Sequence, residues 1–281
     1  MIGAIVGDIV WSRFEFNNYK SKEFELFTKD CFATDDTIMT LAIAKAIMET
    51  SKNVKQNKNE YGAAFHHKLG ELSVKYMQEI GRKYPTCGFG GMFFKWVFSA
   101  NPEPYNSYGN GAAMRISPIG FIANNILQAQ ELAKTVTQVT HNHPEGIKGA
   151  QAVAGAVFMA LNCATKREIK QYIIDNYYPL DFRIDDIRNT YSFNETCQET
   201  VPQAIECFLE SHSFEDALRI GVSLGGDTDT ICAITGAIAE AYYGAPAAVK
   251  EKALKFLDDE LLTIYKQWRE FVSAKYENIF L

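Results

Sequence analysis

Two short runs in this chain carry an unusual density of side-chain oxygens. Asp227-Thr228-Asp229-Thr230 follows the pair Gly225-Gly226, and Thr34-Asp35-Asp36-Thr37 lies near the other end of the 281 residues. An ordinary helix N-cap accounts for one Asp or Thr holding the first free N–H groups. It does not account for four oxygen-bearing side chains in a row before an apolar helix. Oxygen-only donors suit Mg²⁺, Mn²⁺ or Ca²⁺ rather than zinc. Four carboxylates balance two divalent ions, so two helix ends that meet would make a two-metal site, with the ions about 3.5–4 Å apart.

The elements that must position these groups are legible. After Thr230 the residues Ile231 to Ala241 are small or apolar nearly all the way round, which is the mark of a buried helix. Gly225 and Gly226 supply the backbone freedom for a sharp turn into it. Asp227 and Asp229 point about 200° apart in a regular helix, so they converge only from the turn and the first helical positions. Thr34 to Thr37 also opens a helix, with Ile38, Leu41, Ala42, Lys45 and Ala46 at helical spacing. Taken alone, that Asp-Asp pair reads equally well as a solvated helix start favoured by the dipole.

Composition bounds the rest. With 47% hydrophobic residues and a net charge of −6, the chain can bury a large core and lacks the basic footprint of a general nucleic-acid binder. No linker, low-complexity tract or fixed-period repeat divides it, so residues 1–281 are expected to form one domain. The longest polar stretch, Ser51 to Glu60, reads as a surface loop. The six cysteines, Cys31, Cys87, Cys163, Cys197, Cys207 and Cys232, form no C-x-x-C pair. No basic-headed signal peptide or bilayer-length apolar run is evident. A cytoplasmic protein with reduced thiols and no membrane partner is the expectation; oligomeric state is not legible.

Along the chain, Gly3 to Val10 is small and apolar around a single acid, Asp8, which needs a partner if buried. Glu15 reads most simply as a surface residue paired with Arg13 or Lys20. Asn59 to Ile80 is an amphipathic helix, and His66 and His67 are surface or packed histidines. Cys87-Gly88-Phe89-Gly90-Gly91 suggests a loop approached closely by something else, or a plain turn before the aromatic run Phe93, Phe94, Trp96 and Phe98. Ser107-Tyr108-Gly109-Asn110-Gly111 offers backbone N–H groups that can cradle a phosphate without a lysine; a flexible turn is the alternative. His141 and His143 precede the Ala/Gly-rich helix Ile147 to Leu161, and suit binding of a sugar or base edge better than zinc, for which no third soft ligand is near. Further helices are expected at Ala129–Val139, Ile169–Ile174, Thr200–Leu209, Phe214–Ser223, Ala247–Phe256 and Glu260–Lys275, with a loop from Pro179 to Thr190. Strand signals are scarce, so the class is all-α.

Taken in order, these motifs resemble the ADP-ribosylglycohydrolases. The resemblance runs from Gly3 to about Gly244 through Gly7-Asp8-Ile9-Val10, Thr34 to Thr37, Gly88-Phe89-Gly90, Tyr108 to Arg115, Thr140-His141 and Gly225 to Thr230. It implies a compact orthogonal helical bundle with a dinuclear Mg²⁺ or Mn²⁺ centre at helix N-termini. It implies that Thr34, Asp35, Asp36, Asp227, Asp229 and Thr230 are metal ligands, that Ser107 to Gly111 hold a diphosphate, and that His141 and the Gly88–Gly90 loop line an ADP-ribose cleft. Glu15 matches a mechanistically important glutamate of one branch. The implied reaction is hydrolysis of an N- or O-glycosidic bond between ADP-ribose and a protein or small-molecule acceptor, with Glu15, Asp35 or Asp229 moving the proton. Trp11 stands where the family mostly has glycine, so a ring that narrows the cleft or stacks on substrate is an expectation to test. A non-catalytic ADP-ribose binder, a structural relative such as the lens crystallins of this fold, and a Mg²⁺-dependent nucleotide phosphoesterase are the alternatives.

Overall fold

The computed structural model describes residues 1–14, 19–54 and 61–273. In chain order the helices are α1 (Ile2–Trp11), α2 (Asp35–Asn53), α3 (Ala63–Gly81), α4 (Gly91–Phe98), α5 (Gly111–Met114), α6 (Ser117–Ile122), α7 (Ile126–Thr137), α8 (Pro144–Leu161), α9 (Lys166–Asn176), α10 (Ile184–Ile187), α11 (Cys197–Glu210), α12 (Phe214–Leu224), α13 (Thr228–Tyr243), α14 (Ala247–Ala253) and α15 (Asp259–Ser273). Among the described residues there is no strand, only an isolated antiparallel bridge between Gly109 and Thr196. The all-α expectation holds. No helix is long and apolar enough to cross a membrane among the described residues.

Helix α13 is the axis of the molecule. Every residue from Thr228 to Glu240 is buried, as a helix apolar on all faces must be. It packs against α1, α8, α11 and α12. The closest approach is to α1, where a Cβ on Gly7 would lie 2.0 Å from the Cys232 carbonyl oxygen and one on Gly3 would lie 2.0 Å from that of Gly236. Only glycine allows two backbones that near. This contact brings Asp8 of α1 beside the acidic segments and sets the depth of the whole site.

Several boundaries shift from the sequence reading. Ser51 to Asn53 extend α2 rather than belonging to a loop, and residues 55–60 lie outside the described part. The expected loop from Pro179 to Thr190 contains the single turn α10, because Ile184 is fully buried and draws its backbone inward. Helix α8 begins earlier than expected, at Pro144, with His143 as its N-cap: the ring Nδ1 accepts from the Glu145 N–H at 3.1 Å. The stretch Ala247 to Phe256 is α14 followed by a 3₁₀ turn, Leu254–Phe256. Lys275 lies beyond the described residues.

Candidate active site

The two acidic segments meet. Thr230 Oγ1 lies 3.3 Å from Asp36 Oδ2, so the N-terminal ends of α2 and α13 face each other. At α13, Gly225 (φ +74°) and Gly226 (φ +83°) adopt the left-handed backbone that glycine allows. They turn the chain so that Asp227 is the N-cap and Asp229 sits in the first turn. That is the arrangement in which the two carboxylates can converge. At α2, Thr34 is the N-cap and accepts from the Asp36 N–H, while the Asp35 N–H donates to the Cys87 carbonyl at 3.0 Å. The loop carrying Gly88 is thereby tied to the acidic pair. A Cβ on Gly88 (φ +111°) would stand 3.1 Å from Asp35 Oδ1.

Asp8 supplies the link that the sequence left open. Its carboxylate accepts from Thr34 N–H (3.0 Å), Thr34 Oγ1–H (2.7 Å) and Thr37 N–H (3.1 Å). A buried acid from α1 thus caps α2, and the positive end of that helix suits its charge. Burial pushes the Asp8 carboxyl up to about 7, against the pull of hydrogen bonds from Thr37 and Thr34. Thr34, 1% exposed, is thereby held beside Asp35 and Asp36 by the Asp8 carboxylate.

The remaining acids crowd one wall. Burial first, then the charges of Asp229, Asp35, Asp8 and Asp227, push the Asp36 carboxyl well above its ordinary range. Asp227 is raised by burial and by Asp229, which stands within hydrogen-bonding reach; Asn110 Nδ2 donates to Asp227 Oδ2 at 2.6 Å and pulls the other way. Asp36 Oδ1 is buried and has no hydrogen-bond partner. A carboxylate oxygen in that position is costly unless a cation satisfies it. The donor chemistry of the wall therefore fits hard divalent cations. Among the described residues, no three His, Cys, Asp or Glu side chains close around a common point as a ligand set.

The acids form the floor of a cleft of about 650 Å³, within the range that encloses a nucleotide-sized ligand. Asp35, Asp36, Asp227, Asp229 and Thr230 line it, together with Gly88, Gly90, Ser107, Tyr108, Gly109, Asn110, Gly111 and His141. The Ser107–Gly111 loop is pinned to the start of α11 by Asn110 N–H to Glu195 O (2.7 Å) and Cys197 N–H to Tyr108 O (3.0 Å). Met92, Tyr108 and Phe193 stand exposed at the rim.

Comparison with known proteins accords with this geometry. Residues 1–276 match the family model described as ADP-ribosylglycohydrolase. The chain belongs to the ADP-ribosylglycohydrolase family. It is 28% identical over 320 residues to the ADP-ribosylhydrolase ARH3 of Mus musculus, covering 87% of this chain and 82% of that protein. It is 26% identical over 267 residues to the ADP-ribosylarginine hydrolase Tri1 of Pseudomonas putida, covering 87% of this chain and 69% of that one. A solved structure titled "ADP-ribosylglycohydrolase-related protein complex" shares the fold, with a TM-score of 0.65 at 20% identity over 96% of this chain and 97% of that one. The protein is a hydrolase of ADP-ribose glycosidic bonds.

Two expectations for the glycohydrolase fall elsewhere. Trp11 does not reach the cleft: it is 0% exposed, is absent from the cleft lining, and its ring packs against Phe14 (4.9 Å) and Phe24 (5.9 Å). The face of α1 that it occupies points into the core, so it can neither narrow the cleft nor stack on substrate. Glu15 lies outside the described residues. Sequence reading also missed Arg115, a guanidinium only 1% exposed that borders the cleft. Burial lowers it to about 10. Its position directly after the small-residue loop is the signal that could have marked it.

Proposed function

We propose that this glycohydrolase releases ADP-ribose from an N- or O-linked acceptor with two Mg²⁺ or Mn²⁺ ions held by Thr34, Asp35, Asp36, Asp227, Asp229 and Thr230. The observation that carries the reading is the orphaned Asp36 Oδ1 in a wall of crowded carboxylates at the base of the cleft. When bound, the ions would bind the ribose hydroxyls and lower the pKa of a water near the anomeric carbon.

The protein's own groups do the rest. Within the Ser107–Gly111 loop the Gly109 and Asn110 N–H groups are engaged by Ser107 Oγ and Glu195 O, which leaves the N–H groups of Ser107, Tyr108 and Gly111 to hold the diphosphate over a loop that bears no side chain at Gly109 and Gly111. Asn110 fixes Asp227 and Asp8 fixes the start of α2, so the acids keep their spacing as charge develops. Asp229, Asp35 and Glu15 are the carboxylates assigned to proton transfer: one takes the proton of the attacking water and one returns a proton to the departing acceptor atom. The exposed rim of Met92, Tyr108 and Phe193 leaves the acceptor side open, which suits an acceptor attached to a protein.

Incubation with ADP-ribosyl-arginine and ADP-ribosyl-serine peptides plus Mg²⁺ or Mn²⁺, read by mass spectrometry, tests the reading. Intact ADP-ribose should appear, and chelation or Asp229→Ala should abolish it. Release of AMP or phosphate instead would assign a phosphoesterase, and full turnover by Asp229→Ala would remove the metal assignment.

A further inference from the structure

His141 is buried beside the cleft, and its two ring nitrogens face different surroundings. Nδ1 looks inward, to Thr140 Oγ1 at 2.7 Å and Arg115 Nη2 at 3.2 Å. Nε2 looks toward the glycine loop, where a Cβ on Gly109 or Gly111 would meet it at 3.6 or 3.4 Å. The same Arg115 Nη2 also donates to Thr140 Oγ1 at 2.7 Å.

The hydroxyl alone leaves the ring's proton undecided. Thr140 can donate to Nδ1, or it can turn its proton toward the Thr137 carbonyl, 3.4 Å away, and accept from Nδ1–H. A guanidinium has no such choice, because it carries donors only. An Nδ1–H would point a proton at the cation. With Arg115 in place, Nδ1 must be the acceptor and the ring proton must reside on Nε2.

We propose that Arg115 is a positioning residue that fixes His141 as the neutral Nε2–H tautomer, so that this N–H is a permanent donor to a phosphate or ribose oxygen of ADP-ribose over the Gly109–Gly111 loop; the ligand part rests on the cleft being the ADP-ribose site. His141 then does not shuttle protons. It holds the ligand, and the proton work stays with the carboxylates. The close fit of Arg115 follows from the same role: its guanidinium lies 5.2 Å from the centre of the Phe93 ring, which fixes its plane while Nη2 serves two acceptors.

Nitrogen-15 NMR of the full chain labelled at histidine, at pH 7, tests the proposal directly. The chain has five histidines, and a His141→Gln sample identifies the relevant signal by its loss. The ring should show an unprotonated Nδ1 and a protonated Nε2 without ligand. A protonated Nδ1 in the wild type overturns the proposal whatever the activity. In Arg115→Met, a close match in volume, the ring should become a mixture of tautomers. ADP-ribose affinity by calorimetry should weaken about tenfold, the worth of one buried hydrogen bond. Arg115→Lys keeps a donor and should restore most of both signals, which a merely space-filling role would not do. A single Nε2–H ring in Arg115→Met removes the arginine from the account. A correct tautomer in a wild type that fails to bind ADP-ribose leaves the tautomer standing and sinks the substrate reading instead.

Discussion

Thr230 Oγ1 and Asp36 Oδ2 stand 3.3 Å apart although 194 residues separate them in the chain. Through that contact the first turn of α13 meets the first turn of α2, and the acids on both become one electrostatic unit. Asp36 feels Asp229, Asp35, Asp8 and Asp227 together. Removing its charge should therefore help the metal-free fold while harming function. Asp36→Asn keeps an acceptor for Thr230 and is expected to raise unfolding free energy in chelator by of order 1 kcal/mol. The same variant should lose activity by about 100-fold or more if Asp36 is a ligand of the proposed metal pair. Chemical denaturation and turnover measured on one preparation check both signs; a less stable variant with normal turnover contradicts the account.

Divalent cations should act on the protein's stability as well as its activity. A ligand that binds only the folded state stabilises it by about 2.7 kcal/mol at a hundredfold excess over its Kd. Mg²⁺ or Mn²⁺ added to chelator-treated protein should raise the melting temperature accordingly, and Asp229→Ala should blunt the response. Ca²⁺ shares the oxygen preference but tolerates looser geometry, so its effect on melting without matching turnover would show that the site demands a compact ion. A wild-type melting curve that none of the three ions moves would contradict the metal assignment.

The pH dependence of stability has a source in His141. Burial, then the adjacent Arg115 charge, holds this ring well below the ordinary histidine range. Tyr105, raised to about 12 by burial, is neutral throughout and does not oppose them. The unfolded chain takes up a proton near pH 6.5 that the folded ring refuses. Stability is thus full above that pH and is lost as pH falls below it, by up to about 1.4 kcal/mol per unit. His141→Asn should flatten the slope of unfolding free energy between pH 6.5 and 5.5 relative to wild type. An unchanged slope would mean that the folded ring accepts the proton after all.

The sequence revealed the helices and the acids for different reasons. Helix α13 was legible because Ile231 to Ala241 is apolar on every face, and its N-terminal turn because Gly225-Gly226 precedes the acids. The residues that line the cleft were legible mainly as loops of small residues, since Gly88, Gly109 and Gly111 leave space without declaring what fills it. What the sequence could not reveal is direction. Asp8 read as an acid in search of a partner, and only the crossing of α1 over α13 shows that the partner is the start of α2. Trp11 read as a wall of the cleft, yet one turn beyond Asp8 its ring is fully buried among Phe14 and Phe24 and is absent from the cleft lining. Arg115 carried no periodic signal, because its burial depends on two groups from a different loop, Thr140 and His141.

That crossing of α1 over α13 can be tested by single methyl groups. Gly7→Ala places a Cβ 2.0 Å from the Cys232 carbonyl oxygen and 2.8 Å from the Ala233 nitrogen. Both are backbone atoms of a buried helix, so neither can turn aside as a side-chain end would. The helices must separate, and Asp8, one residue on, is then drawn away from Thr34 and Thr37. The loss should reach about 3 kcal/mol or more, at the upper end of overpacking costs, with turnover falling alongside it. Gly70→Ala is the matched control: Gly70 lies inside α3 with nothing within 4 Å of an added Cβ. There the substitution should stabilise by about 0.5–1 kcal/mol, the helix preference of alanine over glycine, and leave turnover unchanged. Equal effects of the two substitutions on unfolding free energy would show that α1 does not sit against α13 as closely as the geometry requires.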